Sequence, residues 1–221
     1  MDFISGEILA IDKPEGWTSF DAVKRVRGAL SRRLHMKKIK VGHAGTLDPL
    51  ATGVLIVCTG KATKRIEELQ AGCKEYVASM RLGATTPSFD LEHPIDATYP
   101  TGHITEALVR EALNSHTGVI MQVPPVYSAV KIGGERAYSL ARKGEEVELR
   151  AKPLRIDEME LLECHLDTPE PWIRVRIVCS KGTYIRALAR DIGVALGSGA
   201  HLTSLRRTRV GAYDESASIS I

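Results

Sequence analysis

Residues 42–55 read GHAGTLDPLATGVL. One carboxylate, Asp48, stands between a glycine-rich approach and the apolar run Val54, Leu55, Ile56 and Val57, which reads as a buried strand. Pro49 follows the aspartate. Proline has no backbone N–H and biases the residue before it away from the helical region, so Asp48 is expected on a fixed turn beside a sheet. A carboxylate held that way suits nucleophilic or electrostatic catalysis. The plainer alternative is a turn aspartate that satisfies local backbone donors. Spacing alone leaves both open.

Outward from this turn the pattern alternates between strands and helices. Residues 8–11 form a short apolar strand, closed by the turn Lys13, Pro14, Glu15, Gly16. Thr18 or Ser19 can cap a helix with Phe20, Val23, Val26 and Leu30 on its inner face and Lys24, Arg25 and Arg27 on its outer one. A basic loop, 32–40, leads to the Asp48 turn, and a short helix is expected over 60–69. Tyr76, Ala78, Met80 and Leu82 share one face of a half-buried strand over 74–82. Residues 105–113 predict a helix with Ala107, Leu108 and Ala112 inward, and Gly133 with Gly134 a hairpin turn. A strand over 172–178 sets Ile173, Val175 and Ile177 against Arg174 and Arg176. The helix over 184–196 carries a stripe of Ile185, Leu188, Ile192 and Ala195. Without a regular βαβ rhythm, the class is α+β.

The 221 residues carry 30 basic and 27 acidic side chains. A net charge of +3 therefore says little about partners, and distribution says more. Lys24, Arg25, Arg27, Arg32, Arg33, Lys37, Lys38 and Lys40 follow one another with no acid among them. A second basic set runs through Arg174, Arg176, Lys181, Arg186, Arg190, Arg206, Arg207 and Arg209, while acids gather over 157–170. This segregation points to a basic face for a polyanion, against two solvated surfaces as the plainer reading. Cys58, Cys73, Cys164 and Cys179 form no CxxC pair and read as reduced, mostly buried thiols of a cytoplasmic protein. No metal-ligand spacing and no run long enough to cross a bilayer is present. A phosphate loop around Gly60 and Lys61 fails, because Leu55 and Ala62 stand where glycine and a hydroxyl residue are required.

The segment around Asp48 closely resembles the signature of the TruB family of tRNA pseudouridine synthases, in which the aspartate of GTLDPxAxG is catalytic. Four further segments, in the family's order, resemble its motifs: ILAIDKPEGWTSFDAVKRVR (8–27), KEYVASMRLG (74–83), CSKGTYIR (179–186) and HLTSLRRTRVG (201–211). QVPPVYSAVKIGGERAYSLARKG (122–144) resembles the inserted RNA-gripping thumb, with a thumb expected over 124–150. The resemblance implies a mixed, largely antiparallel central sheet flanked by helices. It also implies isomerisation of uridine 55 in the T-loop of tRNA, without cofactor or metal, by a monomer that binds the T-arm stem-loop.

In that reaction the bond from uracil N1 to ribose C1′ breaks and one from C5 to C1′ forms, with no net redox change. By resemblance Asp48 acts at the sugar–base junction, with Arg186 as its charge partner. Tyr76 is the platform for the flipped base and lies near the C5 proton. Tyr184 and Leu205 match further pocket positions, and His43 occupies the space the base vacates. Lys13, Lys131 and Arg142 are expected to contact RNA, with Tyr127 and Tyr138 interleaved among the cations of the thumb. After Gly83 the family's two threonines and aspartate at alternate positions correspond to Thr86, Ser88 and Asp90, and a following glycine is replaced within Glu92, His93, Pro94. The chain stops shortly after Gly211, which implies a catalytic domain over 1–221 without the family's C-terminal PUA module. A non-catalytic RNA-binding or RNA-folding protein using the same basic cleft is the rival reading. The third, an aspartate-dependent phosphotransferase, lacks its aspartate pair before Gly45 and Thr46.

Overall fold

The computed structural model describes residues 2–128, 130–143 and 149–221. The chain forms two compact units, Met1–Val77 with Leu205–Ile221, and Ala78–Ser204. In the first unit β1 (Ile8–Lys13) leads through a turn to α1 (Ser19–Arg33), then β2 (Val41–Ala44), β3 (Thr52–Thr59), a 3-10 turn, α2 (Ile66–Ala71) and β4 (Lys74–Leu82). Strand β4 carries the chain into the second unit. There it continues through β5 (Ala84–Thr85), β6 (Ala97–Thr98), α3 (Glu106–Ser115), β7 (Gly118–Gln122), β8 (Lys131–Ile132), β9 (Glu135–Arg136), α4 (Ala137–Arg142), β10 (Lys152–His165), β11 (Trp172–Cys179) and α5 (Ile185–Ala195). Strand β12 (Ala200–Val210) returns to the first unit, which closes with β13 (Tyr213–Asp214) and β14 (Ser218–Ser220).

The sheet is mixed and largely antiparallel, as the resemblance implies. Strand β3 pairs antiparallel with β1 and β2 and parallel with β12, and β10 lies antiparallel between β7 and β11. In the first unit β3 is the central strand. Val54, Ile56 and Cys58 face Ala10, Ala44 and Val210, and Ile66, Leu69 and Tyr213 pack around them. On the opposite side of the same strands Leu9, Ile11, Leu55 and Val57 are buried. In the second unit Ile173, Val175 and Ile177 of β11 are buried, as the alternation predicts, and α5 buries Ile185, Leu188 and Ile192.

Local chemistry explains the entry to α1. Thr18 accepts from the Asp21 N–H while the Asp21 carboxylate accepts from the Thr18 N–H, a reciprocal capping box. Ser19 is therefore free for another task. Its hydroxyl accepts from the Leu47 N–H at 2.8 Å and donates to the Leu47 carbonyl at 3.1 Å, tying the start of α1 to the Asp48 turn.

Several expectations need correction. Phe20 is 52% exposed rather than inward, with the Lys24 ammonium 4.8 Å above its ring. The buried stripe of α1 consists of Ser19, Ala22, Val23, Val26 and Leu30. On α3 the buried residues are Val109, Ala112 and Leu113, and Ala107 and Leu108 face outward. Ala195 is exposed at the end of α5. The second basic set is largely neutralised within the fold. Arg174 pairs with Glu163, and Arg176 with Glu158 and Glu160 across the β10–β11 ladder. Arg206 pairs with Asp12, and Arg209 with Glu75.

Candidate active site

The Asp48 turn is fastened from several directions within the first unit. The Ala51 N–H donates to the Asp48 carbonyl at 3.1 Å, closing the turn. The next carbonyl, that of Pro49, accepts from the Gly16 N–H at 2.9 Å and from Lys13 Nζ at 3.2 Å. Lys13 is fully buried, and its ammonium also donates to the carbonyls of Pro14 at 2.9 Å and Trp17 at 2.7 Å. Lys13 is thus a structural clasp between the β1–α1 turn and the Asp48 turn, which corrects its expected contact with RNA. Asp48 itself is half-buried.

Burial pushes the Lys13 ammonium down to about 8, with the Asp48 carboxylate opposing the shift and the Arg207 charge adding to it. The unfolded chain, at the ordinary 10.5, still holds the proton that the folded chain has lost between these two values. The unfolded state therefore binds more protons there, so this group makes stability rise with pH across that interval. In Lys13→Met that contribution should vanish. Denaturant titrations at pH 8 and pH 10 check it: the gain on raising pH should be smaller in the variant by at least about 1 kcal/mol, and equal gains would assign the effect elsewhere.

His43 lies on β2, half-buried. Burial first, and then the Arg207 charge, push its imidazole below the usual histidine value, while a backbone hydrogen bond at Gly45 opposes them. Burial thus favours the neutral form of the ring. Tyr76 is buried on β4, and Leu205 is half-buried on β12. Arg207, counted above among polyanion-facing cations, is instead 1% exposed and binds main-chain carbonyls around the Asp48 turn.

In the second unit Arg186 sits in the first turn of α5 and is buried, so it is no surface cation. Its guanidinium donates to the carbonyls of Ser88 at 3.1 Å and Tyr127 at 2.9 Å, and its Nε lies 3.5 Å from the Asp90 carboxylate. The loop that departs from the family pattern is therefore the loop that holds this arginine. Thr86 steadies it by donating to the Asp90 carbonyl at 2.6 Å. Tyr184, the residue before α5, is fixed at both main-chain groups by the buried Gln122 side chain, at 2.9 and 3.2 Å. The His93 ring stacks obliquely on Tyr127 at 4.6 Å. Buried polar atoms of Ser88, His93 and Ser128 lack hydrogen-bond partners.

Gly133 and Gly134, both at positive φ, turn the β8–β9 hairpin as expected. The side chains of Lys131 and Arg142 lie outside the described residues. In the first unit an open cavity of about 250 Å³ is lined by Met36 and Ile39 and by Lys38, Lys40, Lys61 and Lys64. Among the described residues no cluster of histidine, cysteine or acidic side chains has the makings of a metal site, and no helix is long and apolar enough to cross a membrane.

Residues 32–185 match the TruB family pseudouridylate synthase model for the N-terminal domain, and residues 186–221 match that of the tRNA pseudouridylate synthase B C-terminal domain. The chain belongs to the TruB family of pseudouridylate synthases. It is 71% identical over 211 residues to tRNA pseudouridine synthase B of Bacteroides thetaiotaomicron, covering 96% of this chain and 88% of that protein. It is 50% identical to the protein of the same name from Flavobacterium johnsoniae, covering 100% and 95%. Among solved structures it resembles a chain of a Cbf5-Nop10-Gar1 complex, with TM-score 0.71 and 32% identity, covering 99% of this chain and 53% of that one. The chain thus spans about half the length of that structural relative.

Proposed function

We propose that this enzyme isomerises uridine 55 in the T-loop of tRNA to pseudouridine, with Asp48 as the reacting carboxylate. The observation that carries the reading is the Asp48 turn itself: a half-buried aspartate on a loop held by Ser19, Lys13 and Arg207, in a chain whose relatives are named tRNA pseudouridine synthase B. A base in a folded loop must leave its stack to be reached. Tyr76 then offers the flipped uracil an aromatic face, and neutral His43 fills the gap without adding charge. Arg186, matched by the resemblance, is a further residue on which turnover depends. Incubation with a T-arm hairpin followed by digestion to nucleosides tests the reading. Pseudouridine should appear, and should not when the target uridine is replaced by cytidine. Binding without any pseudouridine would favour the RNA-binding rival.

RNA affinity should rest partly on the exposed Arg32, Arg33, Lys37 and Lys38. For every phosphate no longer neutralised, the dependence of log affinity on log salt flattens by roughly 0.7 to 0.9. Neutralising the four side chains together should weaken binding and lower the slope, with little change in turnover at saturating RNA. Equal slopes for wild type and variant in a salt series would remove this loop from the interface.

A further inference from the structure

Arg206 and Arg207 are neighbours on β12, so their side chains leave opposite faces of the strand. Arg206 goes outward to the Asp12 carboxylate. Arg207 goes inward and is among the largest fully buried side chains of the described residues. Burial of a guanidinium is costly unless its donors are satisfied. Here Nε donates to the Val54 carbonyl at 2.8 Å, and the two terminal nitrogens to the carbonyls of Gly45 at 3.2 Å and Thr46 at 3.4 Å. Gly45 and Thr46 precede Asp48, and Val54 lies beyond it on β3. One rigid fork therefore grips the chain on both sides of the aspartate.

Close approach of the two strands makes this grip possible. Gly53 lies opposite Arg207 in the parallel ladder at φ +97°, and a Cβ there would sit 2.2 Å from the Arg207 carbonyl oxygen. Any other residue would push β12 away and withdraw the guanidinium. The three partners are neutral carbonyls, so hydrogen bonding leaves the positive charge uncancelled. Its field accordingly opposes protonation of both His43 and Lys13.

We propose that Arg207 is a positioning residue for the reaction: by spanning Gly45, Thr46 and Val54 it fixes the loop on which Asp48 is presented, and so sets where the carboxylate stands. The inference rests on Asp48 being the reacting group. A lysine at 207 keeps charge and stem, yet its single nitrogen cannot span Val54 and the Gly45–Thr46 pair together.

Arg207→Lys and Arg207→Gln, with Asp48→Asn as control, are assayed by single-turnover conversion of a T-arm hairpin. RNA affinity, thermal midpoint and amide hydrogen exchange are followed alongside. Misplacement of a reacting group by about 1 Å costs on the order of 100-fold. Arg207→Lys should therefore turn over at least about 30-fold more slowly at saturating RNA, with affinity within about threefold of wild type. Exchange should quicken over residues 45–51 while β1 remains protected. Conversion within threefold of wild type by a folded Arg207→Lys, with Asp48→Asn inactive, would overturn the proposal. So would loss of the folded state in both variants, since the fastening would then serve the core rather than the loop. Full activity in Asp48→Asn would instead overturn the reading on which the proposal rests.

Discussion

Asp48→Asn is expected to stop pseudouridine formation, lowering the single-turnover rate by at least about a thousandfold, while RNA affinity stays within about threefold. Asparagine matches the carboxylate in shape, and Ser19, Lys13 and Arg207 hold the Asp48 turn through its main-chain groups. The loop should thus keep its conformation, and the loss should fall on chemistry. Turnover above one hundredth of wild type in protein verified by mass to be free of the aspartate form would remove Asp48 from the reaction.

Arg186→Lys should be the second most damaging change. The planar fork of Arg186 serves two carbonyls from different segments and faces Asp90 as well, all in a buried setting. A lysine ammonium carries its donors on one nitrogen at the end of a flexible stem and cannot reach, together, partners that the guanidinium meets from three separate nitrogens. Each charge-assisted hydrogen bond is worth about 1.5–3 kcal/mol, so loss of two predicts a fall of at least about 100-fold in rate. Comparing rate at saturating RNA with affinity separates positioning from binding. A folded Arg186→Lys with unchanged rate would reduce Arg186 to a structural cation.

Much of this architecture is legible in the residue pattern, and the failures have physical causes. The buried alternation of β11 and the apolar run of β3 follow from periodicity, because a single face, or both, is simply apolar. Strand β10 escapes notice. Its Glu158, Glu160 and Glu163 look like a solvated acidic stretch, yet they are partners of Arg174 and Arg176 on β11. Two register shifts, between Ile156 and Glu158 and between Leu161 and Glu163, also break its alternation. Arginines that appear to form a basic face are for the same reason half of cross-strand pairs, each worth about 0.2–1 kcal/mol.

The candidate site divides the same way. Asp48 is found from a turn, a proline and a resemblance. Its supports are not, since they are long side chains that reach main-chain carbonyls far away in sequence: Arg207 to Gly45, Lys13 to Pro49, Arg186 to Tyr127. A carbonyl has no residue identity, so no motif announces such a bond. One signal was available. Adjacent Arg206 and Arg207 on a strand cannot both face solvent when that strand lies inside a sheet, so one of them had to be buried and satisfied.

When C5 joins C1′, the hydrogen on C5 must leave, which makes its release a direct report of the reaction. A T-arm hairpin carrying tritium only at C5 of uridine 55 should release one equivalent of tritium to water on incubation with this protein and none with Asp48→Asn. No release from that position, under conditions where the hairpin is shown to be bound, would contradict the account.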